Sequence, residues 1–442
     1  MRAPSPKALV RRPQRIVLVV VALTPYHGLL RIVPHPLIAQ GWKEALMVLA
    51  LLATFVAPRA ARGRTDRPVP RWVVPFGAFV VVSVMWAIAR HNVAALYGLK
   101  IYFFSSILAI AVWRCPFDTG ERDRFVSIVM ANGAITGAYG IAQQAIGPSA
   151  LNDLGYPYNT VIRTTGDLLR SFSSFDGPFA FAFFEMAVLA ICVPVALADR
   201  GRWRNRAFLV ALPLVVGGML ATFVRGAWIA AAVGLTVVVL RQLRPRALLS
   251  LAFVAAVAAF AAVLLVPRSV VERATQADTA RDRVSIVHVN VDSVLDRPFG
   301  HGIGTTGATA EKLNELGLGQ GDPYQPDNHY FLVAYEVGVQ GLICFVAFLA
   351  IAFWEVQRAA KRLSGADGAL AAGIAALLAA AIAASFFESY FSVFPNDVLL
   401  WVGIATICDA ATGVAVSRPK HMASRSRASP RAGAQRLLTR RR

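Results

Sequence analysis

The sequence predicts an all-α fold, a bundle of membrane-spanning helices, and two observations lead to this prediction. First, 56% of the 442 residues are hydrophobic and the mean hydropathy is +0.55, with repeated apolar runs that a soluble protein does not need. Second, apolar stretches such as 207–223 and 247–266 are continuous and lack the alternation of barrel strands. Since backbone polar groups in hydrocarbon must be bonded internally, these runs are expected to be helices.

About twelve spans are predicted, each close to the ~20 residues that a bilayer requires. They lie near residues 16–32, 42–57, 72–91, 93–113, 124–146, 177–198, 207–223, 225–241, 246–266, 328–356, 368–387 and 394–413. No small-residue cleavage site follows the first apolar run, which is therefore interpreted as a retained span. The transmembrane domain is expected to cover 16–413, between a basic segment at 1–15 and a basic, disordered tail at 414–442.

The formal net charge of +20 is unevenly distributed along the chain. Basic residues concentrate before the first span, in the connections after the second, sixth and eighth spans, and in the tail. With twelve spans, all of these segments lie on one side. The positive-inside rule then predicts cytoplasmic termini in a multi-pass protein of the plasma (inner) membrane. Because topology and anionic lipid account for the charge, nucleic acid is not expected as a partner.

Two segments that are expected to be external, 147–176 and 267–327, interrupt the series of apolar spans. In the second, Thr279 and Asp282 fit a capping box, and the valines that follow share one face as far as Leu295. A short amphipathic helix on the outer membrane surface is expected there. A long external loop with structure of its own is more often functional than idle.

The segment 302–307 matches the glycine pattern of dinucleotide-binding folds. It follows a predicted helix instead of a strand and belongs to no βαβ unit, so a nucleotide site is not expected. A flexible glycine loop beside a substrate cleft is the preferred interpretation. The four cysteines are scattered and show neither metal-ligand spacing nor a disulfide framework.

Three predicted spans begin on the outer side, where free N–H groups and the positive ends of helix dipoles attract anions. Arg170 precedes the sixth span, Arg225 begins the eighth, and Asn328, His329 and Tyr330 begin the tenth. A cation at a helix start opposes the dipole, and Arg225 lies where positive charge is scarce. Arg225 is therefore interpreted as a residue that binds a diphosphate. The alternative is an arginine that extends to the outer lipid headgroups.

His329 could act as a general base, as a proton donor or simply as an interfacial cap residue. Glu336 lies two turns deeper on the same face, where a carboxylate is costly and usually functional. Tyr330 could bind substrate or only pack at the interface. Lys100 and Glu185 are further intramembrane charges, which either pair with each other or leave Lys100 to contact phosphate.

Glu388 and Asp397 flank the last external loop. They could bind an acceptor or be merely solvated.

The order of these motifs resembles the O-antigen ligase and polymerase family. The matching residues are Arg225–Trp228, Arg283, Pro298–Gly304 and Asn328–Leu342. The likeness covers roughly residues 165–350 by motif. Members of that family are multi-pass inner-membrane glycosyltransferases.

The resemblance implies transfer of a glycan from undecaprenyl diphosphate to a hydroxyl of a lipid or glycan acceptor, on the outer face and without nucleotide sugar, cofactor or metal. It implies that Arg225 and Arg283 bind the diphosphate and that His329 assists deprotonation of the acceptor. Further substrate contacts are expected from Arg170, Lys100, Asn328, Tyr330 and Glu336. Ligase and polymerase differ in the acceptor, which the motifs leave open.

A transporter or flippase for lipid-linked glycan is the alternative. It would use the same basic outer cleft without forming a bond. Transporters favour internal repeats and broken helices near the midplane, and neither is evident in the sequence.

Overall fold

A computed structural model describes residues 12–32, 36–63, 67–90, 93–166, 168–242, 291–307, 310, 314, 326 and 328–417. This part of the chain is mostly helical, which confirms the predicted class. Its helices are α1 Pro13–Leu23, α2 Pro36–Val56, α3 Val73–Arg90, α4 Val93–Phe103, α5 Ser106–Arg114, α6 Thr119–Ile146, α7 Pro148–Asp153, α8 Pro178–Ala198, α9 Trp203–Leu220, α10 Arg225–Gln242, α11 His329–Arg362, α12 Gly365–Ala384 and α13 Asn396–Ser417. A two-stranded antiparallel hairpin, β1 Arg163–Thr165 and β2 Leu168–Arg170, precedes α8.

The number of membrane spans stays a prediction. Within the described part of the chain, α6, α8, α11 and α12 are each long and apolar enough to cross a membrane. Residues 95–103 of α4 and helix α5 form a pair bent by 46°, which adds a fifth crossing if the pair is one span. The predicted ninth span at 246–266 lies outside the described residues, and so does most of the predicted amphipathic helix.

Helix α8 lies at the centre of the bundle, and nearly all of its side chains are buried. It packs against α6, α9, α10 and α12. Small residues allow the closest approaches. A Cβ added at Gly373 of α12 would lie 2.6 Å from the Ile191 carbonyl oxygen, and one added at Gly234 of α10 would lie 2.9 Å from that of Ala376. Close backbone contact through small residues is how helices associate where lipid removes the hydrophobic driving force.

The two ends of α8 mark the two ends of the bundle. Helix α8 contains 21 residues, so its ends are about 30 Å apart at 1.5 Å per residue. Its start lies beside the hairpin, and α10 and α11 also begin at this end. Its far end lies beside the end of α11 and the start of α12.

Helix α11 is broken inside the bundle. Gly338 has φ 83° and ψ 178°, a conformation that essentially only glycine adopts. The backbone of residues 298–302 lies against the break, where the Val339 N–H donates to the Pro298 carbonyl at 2.9 Å and the Gly302 N–H donates to the Glu336 carbonyl at 2.9 Å. Residues 298–302 therefore supply hydrogen-bond partners for backbone groups of α11 at the break.

Candidate functional site

The hairpin before α8 holds two arginines side by side. The register pairs Arg163 directly with Arg170, and Gly166 at φ 62° makes the turn between the strands. Both guanidinium groups lie over the Phe179 ring, at 5.8 Å for Arg163 and 4.9 Å for Arg170. The Arg170 Nε also donates to the Thr222 carbonyl at 3.1 Å, just before α10 begins.

Arg225 completes a cationic group that we call the arginine cluster, Arg163, Arg170 and Arg225. Partial burial lowers the pKa of Arg170, and the charges of Arg163 and Arg225 lower it further, while Glu388 raises it. Arg170 and Arg225 are therefore close enough to interact electrostatically, and their shared contact with a diphosphate stays a prediction. The cluster lies where α8 and α10 begin, so side-chain charge and helix dipoles favour an anion at the same place.

His329 is enclosed by aromatic rings. Its side chain is 0% exposed, and the rings of Tyr102, Phe345 and Phe391 lie 5.9, 5.2 and 5.4 Å away. Among the described residues, neither ring nitrogen has a hydrogen-bond partner. A buried, unpartnered imidazole is costly, so a polar group from a ligand would improve this environment.

Asn328 and Tyr330 hold the start of α11 in place. The Asn328 Oδ1 accepts from the N–H groups of Tyr330 and Phe331 at 2.9 and 3.3 Å, an N-cap, and its Nδ2 donates to the Phe386 carbonyl. The Tyr330 hydroxyl donates to the Ile382 carbonyl at 2.9 Å. Both side chains thus have structural partners, and their contact with substrate remains a prediction.

Glu336 fastens the glycine-rich segment to α11. It is 1% exposed, and its Oε1 accepts from the Thr306 N–H at 3.0 Å and from the Thr306 hydroxyl at 2.7 Å. The segment was predicted to be a flexible loop, whereas the structure shows it bonded to the backbone and side chain of α11. The Tyr102 ring packs against the His329 ring, and its hydroxyl lies near Glu336 without a hydrogen-bond partner among the described residues.

Lys100 does not pair with Glu185, which differs from one of the two predicted alternatives. Its Nζ lies 2.7 Å from the Glu44 Oε1, and the Glu185 Oε1 accepts from the Thr136 hydroxyl at 2.6 Å instead. Lys100 and Glu44 line a small cleft that also contains Lys43 and Asp397. The partner of each charge depends on which helices pack together, and spacing along the chain does not reveal it.

The segment 385–397, of which the sequence analysis singled out only Glu388 and Asp397, connects these groups. A Cβ added at Gly226 would lie 2.7 Å from the Phe387 Cβ, beside Arg225. The Ser385 carbonyl accepts from the His329 N–H at 2.9 Å, and Phe391 forms one wall around the His329 ring. Phe394 and Asp397 line the cleft beside Lys100. Segment 385–397 thus lies between the arginine cluster, His329 and the cleft beside Lys100.

Two residues of the site escaped the sequence-based prediction. Arg163 stands opposite Arg170 because of the hairpin, and the Gly166 turn between two short runs of strand-forming residues was its available signal. Tyr102 was treated only as part of an apolar helix. Arg283 lies outside the described residues. Among those that are described, no group of three or more His, Cys, Asp or Glu side chains could hold a metal ion.

A comparison with known protein families gives a match that includes the starts of α10 and α11. The family model for O-antigen ligase matches residues 208–346, a range that contains Arg225, His329 and Glu336. No curated protein matches the chain. The matched range, together with apolar helices of membrane-spanning length, places the chain among glycan-transferring membrane proteins. This match supports the resemblance of the chain to the O-antigen ligase and polymerase family.

Proposed function

We propose that the protein transfers a glycan from a polyprenyl diphosphate, undecaprenyl diphosphate in bacteria, to a hydroxyl of a lipid or glycan acceptor at the outer face of the plasma membrane. The observation that carries this proposal is the arginine cluster, which gathers Arg163, Arg170 and Arg225 where α8 and α10 begin. A lipid-linked donor places its diphosphate at the headgroup level, the level at which such helix ends lie.

The arginine cluster stabilises the leaving group. During transfer, the bond between the anomeric carbon and the phosphate oxygen breaks, and negative charge grows on the diphosphate. Guanidinium groups that are already in place form several hydrogen bonds each with the charged oxygens. Fixed donors of this kind lower activation barriers by several kcal/mol. Phe179, beneath Arg163 and Arg170, keeps the two guanidinium groups oriented.

His329 accepts the proton of the acceptor hydroxyl as that oxygen attacks the anomeric carbon. A neutral imidazole offers one acceptor nitrogen for this step, and a well-placed base contributes typically 10²–10⁴-fold. The aromatic enclosure must open for the acceptor to enter. Phe391 lies on the 3-10 turn Tyr390–Ser392, whereas Tyr102 and Phe345 lie on helices α4 and α11, so movement of segment 385–397 would admit the acceptor.

One observation favours the alternative, a transporter of lipid-linked glycan. The break at Gly338 in α11 is a feature common in transporters, where broken helices form the substrate site. In this protein, however, residues 298–302 occupy the hydrogen-bonding groups of the break, so they are not open to a substrate. The glycan-transfer proposal is therefore preferred.

The two functions are separated with purified protein in lipid vesicles that contain undecaprenyl-diphosphate-linked glycan and an acceptor. We expect His329→Ala to lose transfer by at least 10²-fold while donor binding persists, and Arg225→Ala to lose donor binding as well. Arg124→Ala, which removes an exposed arginine from α6, is the matched control. Normal transfer by both variants would refute the site, and donor movement across vesicles without any joining of sugars would establish the transporter.

A further inference from the structure

A second cavity lies at the end of the bundle opposite the arginine cluster. It has a volume of about 600 Å³, within the range of small-molecule sites. It is formed where α8 and α11 end and α12 begins, with Arg200 and Lys361 as its charged lining residues and Leu197 and Leu363 among its apolar ones. We propose that this cavity binds the phosphate headgroup of an acidic phospholipid.

The charges of the cavity are not neutralised from within the described residues. Neither Arg200 nor Lys361 forms an ion pair with any of them. The acidic residue in the first turn of α12, Asp367, is held by Arg122 at 2.8 and 2.9 Å. Arg122 therefore satisfies this carboxylate, and the cavity keeps two positive charges for a ligand.

The start of α12 adds hydrogen-bond donors. Ser364 occupies the N-cap position and lines the cavity, yet its side chain caps no N–H group of the helix. Ser364 therefore leaves the first-turn donors of α12 uncapped. Phosphate oxygens are well suited to such donors because the helix dipole also favours an anion there.

The apolar walls identify a lipid as the occupant instead of a free phosphate. Leu197 and Leu363 lie beside the charged residues, and the cavity is at the level where the long apolar helices end. A headgroup with acyl chains uses both parts of this surface, whereas inorganic phosphate uses only the charged part. Basic pockets between membrane helices bind acidic lipid headgroups in this way. The chain's own tail is a poor occupant, since residues 418–442 contain nine Lys and Arg and no Asp or Glu.

The test measures lipid binding to the full-length protein in neutral detergent. Phosphatidylglycerol is added, and bound lipid is counted by native mass spectrometry while the melting temperature is followed. We expect phosphatidylglycerol to bind and to raise the melting temperature, and phosphatidylcholine and inorganic phosphate to do neither at the same concentration. In Arg200→Ala/Lys361→Ala, affinity for phosphatidylglycerol should fall roughly tenfold or more, because each basic residue contributes to attraction of the headgroup.

A second variant keeps the test decisive if the double variant folds poorly. Ser364→Asp places a good N-cap at the start of α12 and a negative charge where the phosphate would lie, so it should fold well and lose lipid binding. The control Arg59→Ala/Arg124→Ala removes two exposed arginines that do not line the cavity, and it should bind as wild type does. Unchanged binding in both cavity variants, an equal loss in the control, or equal stabilisation by inorganic phosphate would overturn the proposal.

Discussion

Gly338→Ala is expected to destabilise the protein strongly because the break in α11 accepts no Cβ atom. The alanine would have to adopt φ near 83° and ψ near 178°, which costs about 1–3 kcal/mol. Its Cβ would also lie 2.5 Å from the carbonyl carbon and oxygen of Phe299, closer than atoms can approach. Residues 298–302 must therefore move away from the helix.

Movement of this segment also disrupts hydrogen bonds. The Val339 N–H donates to the Pro298 carbonyl at 2.9 Å, and the Gln340 Nε2 donates to the Phe299 carbonyl at 3.0 Å. At about 1 kcal/mol each, their loss brings the expected destabilisation to roughly 3–5 kcal/mol. That is a large part of the ~5–15 kcal/mol by which a domain is typically stable.

Thermal unfolding in detergent measures this effect with a dye that fluoresces on reaction with thiols. Cys115, Cys192 and Cys408 are buried, so they become reactive as the bundle opens. Gly77→Ala is the control, because a Cβ at Gly77 in α3 meets nothing within 4 Å. We expect a lower melting temperature for Gly338→Ala and little change for Gly77→Ala. Equal melting temperatures for Gly338→Ala and wild type would refute the role assigned to the break.

Three further predictions concern buried polar contacts and the arginine cluster. Thr306→Val removes a donor to Glu336 and should cost about 1–3 kcal/mol, measured as a lower melting temperature. Phe179→Ala removes the ring beneath Arg170, worth about 0.5–2 kcal/mol, and should raise KM for the lipid-linked donor more than it lowers kcat. Asn132→Ala breaks the contact with the Tyr26 hydroxyl at 3.2 Å and should also cost about 1–3 kcal/mol in thermal unfolding.

Each of these predictions has a control within the chain. Thr236→Val removes an exposed hydroxyl that bonds only within α10 and should leave the melting temperature unchanged. Phe55→Ala removes an exposed aromatic ring that lies against Arg114, outside the arginine cluster, so donor KM should be less affected than in Phe179→Ala. A Thr306→Val or Asn132→Ala protein as stable as Thr236→Val would contradict the assigned hydrogen bonds, and an unchanged donor KM in Phe179→Ala would contradict the role of the ring.

The sequence by itself determined the helical class, the likeness to the O-antigen ligase and polymerase family and the residues at the helix starts. Apolar runs specify helices because lipid offers no partner to the backbone, and a residue such as Asn328 caps α11 through contacts only two or three positions away. Such features depend on neighbours in the chain. They are therefore readable without a structure, as were the arginines placed at the ends of helices.

The tertiary structure alone decided which of these groups meet. Lys100 pairs with Glu44, Arg163 joins Arg170 over Phe179, and the glycine-rich segment bonds to Glu336. Each contact joins elements whose relative position is set by packing of the whole bundle. Charges act through space and not along the chain, so the same intramembrane lysine is compatible with several partners until the helices are placed.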